Sequence, residues 1–236
     1  MTNLQKDLEP KDAILSSWAR CERQYNLKRD TASPILRLQS SEVAPRLEAM
    51  IERTGGRHGI FRKLASIAAE AGHCLVITDN DGILIRLESK EDEADWNGIA
   101  LGSVWDERIA GTNGVSMALA EGREFTVRGN DHYYSQLQPF ACTAAPLRNS
   151  ANEIIGVANL SSIDRGNPAD IHFAQQLLGA AANRLQHALF ERDFRDQAIV
   201  SIVVPSRREL VKGAELVAVD ERGIIQGATS EAHTIS

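Results

Sequence analysis

The chain has 236 residues, which fits one or two domains. Hydrophobic residues make up 43% and charged residues 25%, an ordinary globular balance that permits a core of normal size. The formal charge of −6 provides no basic field of the kind that nucleic acid attracts, which argues against this chain being the DNA-binding part of anything.

From the N-terminus, KDAILSSWARCERQY places Ile14, Leu15, Trp18, Cys21 and Tyr25 at helical spacing. This predicts an amphipathic helix carried ahead of the main domain. A loop broken by Pro34 follows. The stretch SEVAPRLEAMIERTGGRHGIFRKLASIAAEAG predicts a second helical region, with Leu47, Met50, Ile51, Phe61, Leu64 and Ile67 as core positions and Gly55-Gly56 as its bend or break. The period then changes. CLVITDNDGILIRL reads as strand, Asn-Asp-Gly turn, strand. Residues 112–121 read as a short helix capped by Thr112 or Asn113. EFTVRG is a strand, and FACTAAPLRNSANEIIGVANLSSI is two strands joined at Asn149–Asn152. A long helix begins at Pro168, where a missing N–H costs nothing, with Ile171, Ala174, Leu178, Ala181, Leu185 and Leu189 as its stripe. This order predicts an α+β fold, an antiparallel sheet with helices on one face. LVAVDERGIIQ from Leu216 echoes LVITDNDGILI from Leu75, so residues 198–236 read as the opening of a second unit or as a tail. The echo is equally what two unrelated hairpins would give.

Cys21, Cys74 and Cys142 form no CxxC and no zinc spacing. Sparse cysteines, no apolar leader and no run of 18 apolar residues predict a cytoplasmic protein without membrane association.

For catalysis the sequence offers little. There is no Gly-x-Ser-x-Gly elbow, P-loop or His-Glu-x-x-His. His132 follows Asp131, but neighbours on a strand point apart. Cys142, between an alanine and a threonine, reads as a small buried hydrophobe. For binding there is more. Trp96, Trp105, Tyr133, Tyr134 and Phe140 fall within one short region that also holds the Gly111-Thr112-Asn113-Gly114 turn. Aromatic walls with a few polar groups suit a small-ligand pocket, although Trp105 and Phe140 as core and Asn113 as a helix cap explain the same residues. Asp106, Glu107 and Arg108 read first as an internal salt bridge that pins the loop.

Taken together, the motifs are specific. GSVWDERIAGTNGVSMAL (Gly102–Leu119), His132, CTAAPLR (Cys142–Arg148) and GVANLS (Gly156–Ser161) resemble the N-terminal GAF sensory domain of bacterial transcriptional activators of the acetoin-catabolism-regulator type. SSWARCERQYNL resembles the helix that opens such proteins, and the resemblance covers residues 12 to about 190. It implies a GAF/PAS-like antiparallel sheet flanked by helices, with an N-terminal helical extension over 1–40, the GAF domain over 41–197, and a truncated PAS-like domain or tail over 198–236. It implies a small-metabolite effector from among small ketones, alcohols and their kin, and no catalysis. The ligand-contacting set it suggests is Trp105, Thr112, Asn113, Met117, His132, Tyr133, Tyr134 and Cys142. Ser116-Met117 stands where the family carries a smaller pair, so Met117 is expected to alter the pocket. No cofactor or metal is expected. A homodimer through the flanking helices is expected, with DNA and the sigma-54 polymerase reached only through other domains, often including a Fis-type helix-turn-helix. The competing readings are a GAF-fold methionine sulfoxide reductase, a dimerisation module without ligand, and a haem or tetrapyrrole carrier ligated by His132.

Overall fold

Five antiparallel strands in the order β2-β1-β5-β4-β3 divide the protein into two layers of core. The structure is a computed structural model and describes residues 9–29, 35–56, 59–89, 99–203 and 214–229. The strands are β1 (Cys74–Asp79), β2 (Leu84–Glu88), β3 (Phe125–Arg128), β4 (Phe140–Arg148) and β5 (Ile154–Ile163). Their side chains alternate between faces, as strand geometry requires. Leu75 and Ile77 of β1, Ala145 and Leu147 of β4, and Ala158 and Leu160 of β5 face one way. They pack against α2 (Ser40–Arg53), α3 (Gly59–Glu70) and α6 (Pro168–Asp193). Cys74 and Val76 of β1, Cys142 and Ala144 of β4, and Val157 of β5 face the other way. There they meet the loops around Ile99 and Trp105, α4 (Glu107–Ala110) and α5 (Gly114–Glu121). Helices therefore cover both faces. The expectation of one covered face fails because α5, read from its cap as a helix, is apolar all round and gives no sign of which face of the sheet it covers.

The helical region expected after residue 40 is broken, as the paired glycines required. Gly55 and Gly56 both have positive φ (58° and 70°), a backbone that ends α2. Two residues of that expected stripe, Ile51 and Ile67, lie at the surface, at 38% and 37% exposure. On α6 the stripe holds where it matters: Ala174, Leu178, Leu185 and Leu189 are buried, and Asn167 caps the helix by accepting from the Ala169 N–H. α1 (Pro10–Arg23) buries Ala13, Ile14, Ser17 and Cys21 and turns Leu15 outward.

β6 (Ala198–Ile202), β7 (Glu215–Val219) and β8 (Ile225–Ala228) form a separate sheet in the order β6-β7-β8. It leans on the end of α6 through Phe190 and Phe194. The echo between the two hairpins is structural as well as textual. Asp79 Oδ1 accepts from the N–H groups of Asp81 and Ile83, and Asp220 Oδ1 accepts from those of Arg222 and Ile224. Asn149 makes the same pair of bonds with Ala151 and Glu153 in the β4–β5 turn. An Asx side chain thus closes three hairpins by one chemistry, so the echo of the β1–β2 turn needs no common ancestor.

Two leucines separate core from surface. Leu178→Ala is expected to lower unfolding free energy by about 3 kcal/mol. Leu15→Ala, at 53% exposure, is expected to cost under about 1 kcal/mol. Urea midpoints of the two variants check the difference; similar losses would misplace the core.

Candidate functional site

A buried cavity lies between the sheet and its second layer. Val76, Phe140, Cys142, Asn159 and Ser161 make its floor from β1, β4 and β5. Ile99, Trp105, Asn113, Gly114, Val115, His132 and Leu137 make its walls. The space measures about 20 Å³, room for one water-sized probe. Among the described residues that line it there is no Asp, Glu, Lys or Arg.

The loop that forms one wall is built by Asn113. Its side chain donates to the carbonyls of Trp105 (3.1 Å) and Gly111 (2.9 Å) and accepts from the Ser116 N–H (3.0 Å). Ser116 Oγ returns the bond to the Asn113 N–H, so Asn113 and Ser116 form a reciprocal cap on α5. Gly111 holds φ at 63°, and a Cβ there would lie 2.8 Å from the Tyr133 Cβ. Gly114 lets α5 settle onto the floor, because a Cβ would meet Asn159 Oδ1 at 2.7 Å. Arg148, the last residue of the CTAAPLR motif, donates to the carbonyls of Gly122 and Asn152 and so ties the C-terminal end of α5 to the β4–β5 turn.

The sequence-derived set divides. Trp105, Asn113, His132 and Cys142 line the cavity. Thr112, Tyr133, Tyr134 and Met117 do not. Thr112 Oγ1 lies 2.6 Å from Ser17 Oγ, and Tyr133 donates its hydroxyl to the Leu27 carbonyl at 2.8 Å. Tyr133 and Tyr134 pack edge to face with each other and cluster with Cys21. Met117 packs with Ala13, Ile14, Phe125 and Val127, so its bulk fills the space under α1 and leaves the cavity wall unchanged. Neighbours in sequence here serve different surfaces: Asn113 and His132 line the cavity, whereas Thr112 and Tyr133 bond to Ser17 and Leu27. Trp96 lies outside the described residues. The acidic-basic tetrad also divides. Asp106 and Arg108 pair with each other, whereas Glu107 reaches Arg20 of α1.

Asn159 and Ser161 were missed as contact residues. Their signal was present: two polar side chains in step with Val157 on one face of an apolar strand that is buried on both sides. Asn159 donates to Ser161 Oγ at 2.8 Å, and Ser161 lies 3.4 Å from Cys142 Sγ.

Among the described residues, seven buried side-chain polar atoms have no partner, and three of them belong to residues of this one cavity: Trp105 Nε1, His132 Nε2 and Asn159 Oδ1. Their polarities follow from chemistry. The indole N–H only donates and Asn159 Oδ1 only accepts. His132 Nδ1 lies 3.2 Å from the Gly129 carbonyl, which accepts, so the ring proton sits on Nδ1. Burial pushes the His132 pKa down to about 4, which leaves the ring neutral at pH 7 and its Nε2 an acceptor. The site offers one donor, two acceptors and no charge. Burial also pushes the thiols of Cys142 and Cys21 up to about 11. Little thiolate exists at neutral pH, and thiolate is what sulfoxide reduction needs. A tetrapyrrole at His132 would have to displace both wall loops entirely.

The sign of the histidine effect is fixed. A base whose folded pKa lies near 4 rather than near 6.5 when unfolded contributes stability above pH 6.5 that is lost as pH falls toward 4. The loss amounts to ~3 kcal/mol at most. His132→Gln is therefore expected to flatten the decline in urea midpoint between pH 7 and pH 5 relative to the parent; parallel declines would show that the ring does not titrate in this window.

A family model described as "MimR, N-terminal domain" matches residues 3–175. The acetoin catabolism regulatory protein of Cupriavidus necator is 32% identical over 228 residues, covering 92% of this chain and 33% of that protein. The propane 2-monooxygenase operon transcriptional activator MimR of Mycolicibacterium smegmatis is 28% identical over 155 residues, covering 63% of this chain and 25% of that protein. The chain thus spans a quarter to a third of the length of these two relatives, both of them regulators. Among solved structures, the E. coli DhaR(N)-DhaL complex contains a chain that superposes with a TM-score of 0.61 at 19% identity, over 94% of this chain and 76% of that one. That likeness carries the fold. The motif pattern around Trp105, Asn113 and Cys142, the two-layered sheet and the match over residues 3–175 agree: the chain belongs to the family of MimR N-terminal domains.

Proposed function

We propose that this chain is the effector-sensing part of a bacterial transcriptional activator, and that its buried cavity takes a small uncharged molecule bearing hydroxyl or carbonyl oxygen. The observation that carries the reading is the trio of unpartnered atoms on Trp105, His132 and Asn159 in one cavity. A buried polar group left unpaired costs about 1–3 kcal/mol, so a ligand that pairs all three binds with that gain. The described lining carries no charged side chain, which favours an uncharged molecule over an ion. The name of one relative fits this class: acetoin is an uncharged hydroxyketone. At about 20 Å³ the cavity must widen to admit such a molecule.

In this reading α1 precedes the GAF domain over 1–40, the domain runs over 41–197, and residues 198–236 begin a PAS-like unit. Support for the last comes from strand order: β6-β7-β8 repeats the antiparallel neighbours of β5-β1-β2. DNA and polymerase are reached through other domains, in keeping with the charge of −6, and the setting is the cytoplasm. Among the described residues no helix is long and apolar enough to cross a membrane. Dimerisation through the flanking helices is part of the proposal. Its support is the exposed apolar groove between α3 and α6, where Ile60, Ile67, Leu177 and Ala180 come together.

Thermal-shift screening against acetoin, butane-2,3-diol, hydroxyacetone, propan-2-ol and acetone tests the effector reading. A bound molecule at a hundred times its Kd stabilises by about 2.7 kcal/mol. Trp105→Phe, which removes only the indole N–H and its ring, and Asn159→Ala are each expected to weaken binding about tenfold. Failure of the whole panel to raise the melting temperature, or undiminished binding by both variants, would overturn the reading.

A further inference from the structure

We propose that α1 is a ligand-responsive arm: docked as it stands, it holds the effector cavity in its contracted form, and widening of the cavity loosens it. The identity of the trigger rests on the effector reading above; the mechanical link does not.

The floor of the cavity cannot supply the space. β1, β5 and β4 are the three inner strands of the sheet, each hydrogen-bonded on both sides. Room must come from the walls, the segments that carry Trp105 and Asn113 on one side and His132 on the other. The outer surface of those same segments is the seat of α1, and the two roles alternate along the chain. Asn113 faces the cavity while Thr112 meets Ser17. His132 faces the cavity while the carbonyl of Asp131 accepts from Trp18 Nε1 at 3.1 Å. Glu107, two residues beyond Trp105, accepts from Ser17 at 2.5 Å and from both arms of the Arg20 guanidinium at 2.7 Å.

The seat is polar and buried. Ser17 and Thr112 are fully buried, and Glu107 is 9% exposed. A wall displaced by an ångström or two leaves hydroxyls and a carboxylate unpaired away from water, so a partly displaced seat is disfavoured. Apolar packing of Ala13, Ile14, Trp18 and Cys21 on Met117, Phe125, Val127, Tyr133 and Tyr134 holds the docked form until the polar seat is broken. Two arrangements, docked and loose, are therefore favoured over a continuum. By linkage, whatever widens the cavity loosens α1, and whatever loosens α1 widens the cavity by the same factor.

The three cysteines report each part separately without any ligand. Cys21 lies on the buried face of α1, Cys142 lies on the cavity floor, and Cys74 begins β1 as a reference for global opening. The full chain is labelled with methyl methanethiosulfonate and read by peptide mass spectrometry. Val76→Phe fills the cavity from the floor and stands in for an effector; Cys21 is expected to label at least about fivefold faster, with Cys74 unchanged. Arg20→Ala breaks the clasp from outside; Cys142 is expected to label at least about fivefold faster. If filling leaves Cys21 at the parental rate, or if breaking the clasp leaves Cys142 at the parental rate, the link is overturned. Should Val76→Phe speed all three thiols by unfolding the chain, Val76→Leu and the half-exposed Arg20→Ala decide the matter. A negative effector screen with coupled thiols removes the trigger and keeps the arm, and the reverse result keeps the effector and removes the arm.

Discussion

The side chain of Asn113 carries the site. A carboxamide has two donors and one acceptor oxygen, and here both donors and the oxygen are committed to the Trp105 carbonyl, the Gly111 carbonyl and the Ser116 N–H. That single group fixes three things at once. It holds the backbone at Trp105 so that the indole closes the cavity. It stabilises the turn that sends Thr112 toward α1. It starts α5 with its first residue against the floor. An aspartate in its place would lack both donors, leaving the Trp105 carbonyl without its bond and the Gly111 carbonyl with Ser116 Oγ alone, and a threonine would reach neither. The pairing leaves Asn113 in the cavity wall with both of its donors already committed.

Much of the scaffold was legible because its signals are local. The Asp79 and Asn149 turns, the proline at the start of α6 and the apolar alternation of β1, β4 and β5 are set by nearest neighbours in sequence, and the elements lie where those signals put them. The two-layered arrangement was not legible. α5 runs Val115, Met117, Ala118, Leu119 and Ala120 around its axis and so shows no polar face, because it is enclosed between the sheet and α1.

The site was legible as a region and not as a set of side chains. The motif around Thr112 and Asn113 serves two surfaces, and a linear pattern does not say which residue faces which. Met117 illustrates the cost: a bulky residue beside the motif suggests a narrower pocket, yet it packs under α1. Asn159 illustrates the converse. A polar residue in a doubly buried strand has to be explained by a partner, and its Oδ1 has none within the protein. Counting what each buried polar group can still bond finds the contact residues better than proximity to the motif does.

The remaining capacity also bears on selectivity. One donor and two acceptors in a space of about 20 Å³ are what a single water molecule complements, with two hydrogens and a free lone pair. On the proposed reading an effector competes with water and gains only where it does better. A simple ketone can accept from Trp105 but has no hydrogen for His132 or Asn159, so it leaves two acceptors unpaired. A hydroxyl can accept from the indole and satisfy one of them. A molecule with two hydroxyls, or a hydroxyl set beside a second donor, reproduces the whole pattern and adds apolar contact with Val76, Val115 and Leu137. Discrimination of this kind is steep, because a cavity built to hydrogen-bond rejects the analogue that lacks the group far more strongly than an apolar cavity rejects a missing methylene. The polar trio, and not the aromatic lining, then ranks diols and hydroxyketones above ketones of the same size.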